Sequence, residues 1–151
     1  MNLVVGRALR RLVEWDRVAE NAGLVVISPV TLSRLMGSLT VEQAEALGES
    51  IGDEVWMPIV LSKYGEVTLV STLDSIDLIS RYMGRFEFHR TAEGTKNVVT
   101  VRHGGGRKWS AFYLGAAKSI FKKHLGLDFV HHMSEELVTI EFDAENVGRT
   151  R

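Results

Sequence analysis

The apolar residues of this chain recur at spacings of three and four as far as Gly84 and alternate with polar residues beyond it. A single change of period obliges the chain to fold as helices first and strands afterwards, since each repeat gathers its apolar side chains on one face only in the matching backbone. In the stretch 2–22, Val5, Leu9, Leu12, Ala19 and Ala22 keep helical spacing around Asp16, and Gly23 supplies a left-handed stop. Leu24–Ile27 is a short apolar run, read as a brief strand or a buried connector. Ser28-Pro29 starts a second helix that runs to about Gly37, a hydroxyl cap followed by proline at the first helical position. Thr40 and Gln43 have capping-box spacing. The helix they open carries Val41, Ala44, Leu47, Ile51 and Val55 as one stripe, with Glu42, Glu45, Glu49 and Asp53 toward water. Gly48 and Gly52 either weaken it by about 1 kcal/mol each or mark close packing against another helix. Pro58 predicts a kink before the helix fades near Tyr64, and a further helix starts at Ser71 or Thr72 and ends at Gly84.

Beyond Gly84, Phe86/Phe88 and Val99/Val101 alternate with polar residues around a hairpin loop at Ala92–Asn97 that contains Gly94. Trp109–Leu125 returns to helical spacing, with Phe112, Ala116, Ile120 and Phe121 inward, Lys118, Lys122 and Lys123 outward, and Gly126 as the stop. Leu127–Met133 and Leu137–Phe142 read as strands around a Ser134-Glu135-Glu136 turn. The fold class is therefore α+β, N-terminal helices packed on a C-terminal antiparallel ββαββ unit. Residues 1–23 form a dimerisation helix, 24–143 a single α+β domain (helical half 24–84, ββαββ half 85–143), and 144–151 a frayed tail.

At 151 residues the chain can bury a core without staples. It has no cysteine, which excludes disulfides, thiolate metal sites and cysteine nucleophiles and fits a reducing, cytoplasmic setting. No apolar run approaches the roughly 18 residues of a membrane span, so no membrane partner is expected, and Met1–Arg11 lacks the features of a signal peptide. The net charge of −1 conceals four blocks: +2 over 1–40, −6 over 41–84, +6 over 85–132 and −3 over 133–151. Such alternation fits complementary faces within the fold or between subunits, an anion site in the third block, or solvated faces that happen to cluster.

The segment joining the second strand to the next helix, His103-Gly104-Gly105-Gly106-Arg107-Lys108-Trp109-Ser110, carries the strongest chemical signal. Three glycines in a row imply positive φ angles or close approach to the backbone. Two cations at a helix N-terminus oppose its dipole unless an anion reverses the penalty. His103, Gly104, Gly105, Gly106, Arg107, Lys108 and Ser110 are the candidate ligand-binding residues, with Trp109 and Tyr113 as pocket wall. The competing reading is a flexible turn whose cations point into water. The segment lacks the spacing of a phosphate-binding P-loop, and Ser110 with His103 lacks the Gly-x-Ser-x-Gly context of a hydrolase, so no catalytic residue is assigned. His131 and His132 face opposite sides of a strand, His124 reads as a helix cap, and His89 with His103 at the ends of one hairpin lacks an acidic third ligand. No metal and no cofactor is expected. Trp15, Trp56 and Trp109 read as core or interface packing.

Two stretches carry a resemblance. Leu3–Gly23, with Val13-Glu14-Trp15-Asp16 and Ala19-Glu20-Asn21-Ala22-Gly23, resembles the second helix and following linker of a ribbon-helix-helix domain in archaeal regulators that carry a C-terminal sensor-like domain. His103-Gly-Gly-Gly-Arg107-Lys108-Trp109-Ser110 resembles the His-x-x-Gly-Arg/x-Lys-Trp-Ser signature of those C-terminal domains. The element order is also similar in topology to small-ligand domains of the 4-vinyl-reductase and haem nitric-oxide-binding type, a likeness of fold and not of site. Ribbon-helix-helix proteins read DNA with a strand pair ahead of their first helix. Here Met1 stands almost at the second helix, so the resemblance implies DNA contact only through a missing N-terminal segment, in a trimmed chain or a relative that lost DNA binding.

The reading that follows is a non-enzymatic homodimeric sensor or regulatory domain. Its pocket lies between the helices and the sheet, with His103, Arg107, Lys108 and Ser110 at the mouth and a small anion or acidic metabolite as ligand. The rivals are an enzyme using 103–110 as an oxyanion or phosphate cradle, and a nucleic-acid-associated protein using the basic 85–132 face.

Overall fold

The computed structural model describes residues 3–146. Among these residues, five helices and a four-stranded antiparallel sheet make the fold α+β, as the change of period requires. The first helix, α1 (3–21), contains a π turn at Leu12–Asp16. It is followed by α2, Pro29–Ser38, then α3 (41–64), with a π turn at Gly52–Trp56, and α4, Leu69–Met83. The hairpin β1, Glu87–Glu93, and β2, Lys96–Arg102, leads into α5 (107–124). A second hairpin, β3, Val130–Met133, and β4, Leu137–Asp143, completes the sheet in the order β1-β2-β4-β3. Val99 stands opposite Ile140 and Val101 opposite Val138, so one face of the central strands is apolar and takes the helices.

The local signals act as their chemistry dictates. Ser28 Oγ accepts from the Thr31 amide at 3.1 Å, and Thr40 and Gln43 satisfy each other's amides at 3.1 and 2.8 Å. The expected stops at Gly23, Gly84 and Gly126 all have positive φ. Several expectations need correction. Leu24–Ile27 is neither strand nor buried: Val25 and Val26 lie in solvent, the latter wholly exposed. The stretch 127–129 precedes β3 as coil, with Leu127 and Phe129 in the core instead of on a ladder and Asp128 exposed. The hairpin loop shrinks to Gly94-Thr95 because Ala92 pairs with Asn97 and Glu93 with Lys96. The fourth helix starts earlier, because Thr68 and Ser71 form a second capping box. Ahead of Pro58 the ladder is disturbed by the π turn at Gly52–Trp56, whose Met57 amide reaches back to Gly52 O. Residues 144–146 form a 3-10 turn tied by the Ala144 amide to Thr95 O; the rest of the expected frayed tail lies outside the described residues. Among the described residues no helix is long and apolar enough to cross a membrane.

The close-packing reading of Gly48 and Gly52 is the one realised. A Cβ at Gly48 would stand 1.9 Å from Phe112 O, and one at Gly115 would stand 2.0 Å from Glu45 O, so α3 and α5 touch backbone to backbone. Ala44 and Ala111 are buried close by. Glu45 and Asp53, expected to face water, instead take α5: Glu45 pairs with Lys118, and Asp53 binds Lys123, Ser119 (2.6 Å) and His124 (2.7 Å). These three donors hold the Asp53 carboxyl well below its usual range, Lys123 contributing most. The −6 and +6 blocks are thus in part complementary faces of one fold, and His124 serves Asp53 across the helix pair.

Gly48→Ala should therefore destabilise the protein by about 1–3 kcal/mol, the usual cost of overpacking. Gly37→Ala, where a Cβ meets nothing within 4 Å, should be neutral or stabilising by up to about 1 kcal/mol. Urea denaturation of the two variants checks the pair, and equal stabilities would contradict the crossing.

Candidate functional site

The strand-to-helix segment is closed by its own bonds. The amides of His103 and Gly104 donate to Glu136 O at 2.8 and 3.3 Å, and that of Gly106 donates to Glu135 O at 3.0 Å. The Gly105 amide donates to His103 Nδ1 at 3.0 Å. Four consecutive amides are thus spent on the β3–β4 turn and on the histidine. The glycines have both reasons foreseen for them. Gly104 and Gly106 have φ of +61° and +87°, while a Cβ at Gly105 would stand 2.3 Å from the Trp109 ring. The cations separate as well. Lys108 Nζ donates to Gly37 O at 2.6 Å, fastening the carboxyl end of α2, and Arg107 is exposed within electrostatic reach of Glu42.

His103 and Ser110 do meet, at 3.0 Å from Nε2 to Oγ. Because Nδ1 accepts the Gly105 amide, the neutral ring carries its proton on Nε2 and donates it to Ser110 Oγ. The hydroxyl in turn donates to Ser134 O. That polarity is opposite to the one that activates a serine nucleophile, where the hydroxyl donates to the ring. Ser110 is fully buried, and burial pulls the His103 pKa down against the opposing charge of Glu136. The pair is a lock between the α5 N-terminus and the second hairpin. Among the described residues no group of three potential ligands surrounds a metal position; His89 lies beside Glu87 at 3.7 Å, while His103 turns toward Ser110.

The open space lies behind this segment. A cavity of about 350 Å³ separates the helices from the sheet. It is lined by Leu47, Ile51, Val55, Trp56 and Ile59 of α3 and by Ile76, Ile79 and Met83 of α4. Phe112, Tyr113, Ala116 and Ile120 of α5 and the cross-strand pairs Val99/Ile140 and Val101/Val138 complete most of the wall. Leu24, Ile27, Leu32 and Met36 approach it from the α1–α2 link and α2, and Arg85 is the charged residue of the lining. Trp109 and Tyr113, the expected wall residues, both line it. His103, Gly104, Gly105, Gly106, Arg107, Lys108 and Ser110 do not. His103 stands one layer back, its ring 5.2 Å from that of Tyr113, which also packs on Phe86, Trp109 and Phe112 at 5.3–5.9 Å. Burial raises the Tyr113 pKa above the usual phenol range, so the side chain presents a neutral hydroxyl.

Arg85 escaped the sequence analysis, where it counted only toward the +6 block. The signal was there: a cation between the helix-ending Gly84 and the apolar Phe86, at the point where the period changes. Its guanidinium lies over the Trp109 ring at 5.6 Å. Trp56, a packing residue by its spacing, has a buried indole nitrogen with no hydrogen-bond partner.

No family model and no curated protein matches this chain. Among solved structures, a double variant of Tt H-NOX is similar over 95% of this chain and 94% of its own, at 10% sequence identity and a TM-score of 0.47.

The half-buried His103 has a pH consequence. Its folded-state pKa lies below the unfolded value near 6.5, so below about that pH the unfolded chain binds the extra proton and stability falls as pH falls. Above it the contribution is complete. Wild type should therefore exceed His103→Gln in stability by more at about pH 7.5 than at about pH 5 in chemical denaturation. A gap independent of pH would show that the ring is not held neutral.

Proposed function

We propose that this chain is a non-enzymatic sensor or regulatory domain that takes a small, largely apolar ligand between its helices and its sheet. The cavity carries the reading. Protein interiors pack to crystal-like density, and 350 Å³ lies within the range of ligand sites, about 300–1,000 Å³. The reading relocates the ligand from the mouth residues to the space behind Trp109 and Tyr113. It disfavours the enzyme, since the His103–Ser110 bond runs the wrong way to activate a nucleophile. It also disfavours a nucleic-acid face, since Lys118 and Lys123 of the basic block already pair with Glu45 and Asp53. Nile red, a neutral dye that brightens in apolar surroundings, should bind saturably, and Val99→Trp, which fills the cavity, should weaken binding at least tenfold. Unchanged binding in that variant would move the site elsewhere.

A second copy of the chain is proposed as partner, on the observation of α1. Its second half is anchored by Trp15 and Val18, packed with Ile59, Leu78 and Ile79, and Trp15 stacks on Tyr82 at 5.6 Å. Its first half leaves Leu3, Val5, Leu9 and Leu12 in solvent. Arg7, Arg10 and Arg11 crowd that half, while Glu14, Asp16 and Glu20 outnumber Arg17 in the other. Two such helices antiparallel about a two-fold axis set basic against acidic halves while covering the apolar residues. Sedimentation should show a dimer at tens of micromolar, and Leu9→Glu should yield a folded monomer. A monomeric wild type would refute the pairing.

A further inference from the structure

We infer that the cavity selects an amphiphile with one carboxylate head, and that Arg85 is the residue that binds this head. The inference rests on the cavity being a ligand site and adds the chemistry of what enters it. Three buried side-chain polar atoms among the described residues lack a hydrogen-bond partner: Arg85 Nε, Trp56 Nε1 and Thr72 Oγ1. Arg85 and Trp56 line the cavity, whose exposed wall is almost wholly apolar, so the two orphan nitrogens lie just beneath it. Both orphan atoms are N–H donors without acceptor capacity, so only a molecule bringing acceptor oxygens can satisfy them.

The charge sharpens the choice. Among the described arginines, Arg85 is the one with a buried nitrogen that lacks a partner. Among the described residues no carboxylate pairs with Arg85, whose guanidinium lies against the face of Trp109. An indole against one face of a guanidinium leaves its N–H edge for a planar, two-oxygen acceptor. A carboxylate matches that edge with two parallel bonds. A phosphate monoester would bring up to two negative charges to a lining with one cation, and a neutral alcohol would leave the guanidinium uncompensated. The apolar residues of α3, α4 and the two central strands then take the body of the molecule.

The test compares three molecules of equal chain length, decanoate, decanol and decyl phosphate, as displacers of Nile red from the full chain at fixed pH and salt. Decanoate should displace the dye at a concentration at least tenfold below that of either other compound. In Arg85→Met the ratio of decanoate to decanol should collapse to about one, and Arg85→Lys should retain part of the preference. A cooperative unfolding transition in each variant verifies the fold. Equal displacement by decanoate and decanol in wild type, stronger displacement by decyl phosphate, or a preference that survives Arg85→Met would each overturn the inference while leaving the cavity reading intact. Absence of Nile red binding would overturn both.

Discussion

Two carbonyl groups decide how this molecule is assembled. Phe112 O and Glu45 O each lie where the other helix would carry a Cβ, and only glycine at 48 and 115 lets them. Helices that approach so closely cannot hold large side chains at the crossing. Their bulk is pushed to the flanks, and Leu47, Ile51, Phe112 and Ala116, beside the contact, turn up in the wall of the cavity. The contact that costs the core its filler at one point is therefore also what arranges apolar side chains around the space next to it.

Electrostatics follow the same crossing. Glu45 and Asp53 on α3 meet Lys118, Lys123 and His124 on α5, so segments of opposite sign in sequence are joined along one helix pair. The pairs are part-exposed, and each contributes little alone; their effect is to fix the alignment of two helices whose glycines leave it undetermined. At the other end of α5, His103, Ser110 and the carbonyls of Ser134, Glu135 and Glu136 bind the helix start to the second hairpin. Lys108 adds the end of α2. The segment that looked most like a binding loop is the joint that holds the cavity's aromatic wall, Trp109 and Tyr113, in place.

How far the sequence was readable depends on the range of the interaction. The period change, the serine and threonine caps and the glycine stops act within a turn or a strand pair, and they were legible from neighbours alone. The Gly48 approach was legible as one of two options, because the choice depends on Gly115, which lies on a different helix. Leu24–Ile27 misled because apolar composition was taken for burial, while the segment spans a gap between helices with Val25 and Val26 in water. The glycine segment misled for a different reason. Its conformational reading was correct, but whether its amides await an anion or are taken by Glu135 and Glu136 depends on residues some thirty positions away. Arg85 does not stand out in the sequence because its distinguishing feature is a buried, unpartnered Nε, which no local pattern records.

The central claim is that the space between α3, α5 and the sheet is open in solution and accessible to apolar matter. Xenon enters dry apolar cavities without regard to any head group. Methyl-resolved NMR during a xenon titration should give saturable shifts at Ile76, Val99, Val138 and Ile140, with none at Val18, an α1 residue outside the cavity lining. Shifts that stay linear in xenon pressure and equal at Val18 and Val99 would contradict the account, because they would mean that the space is closed or filled.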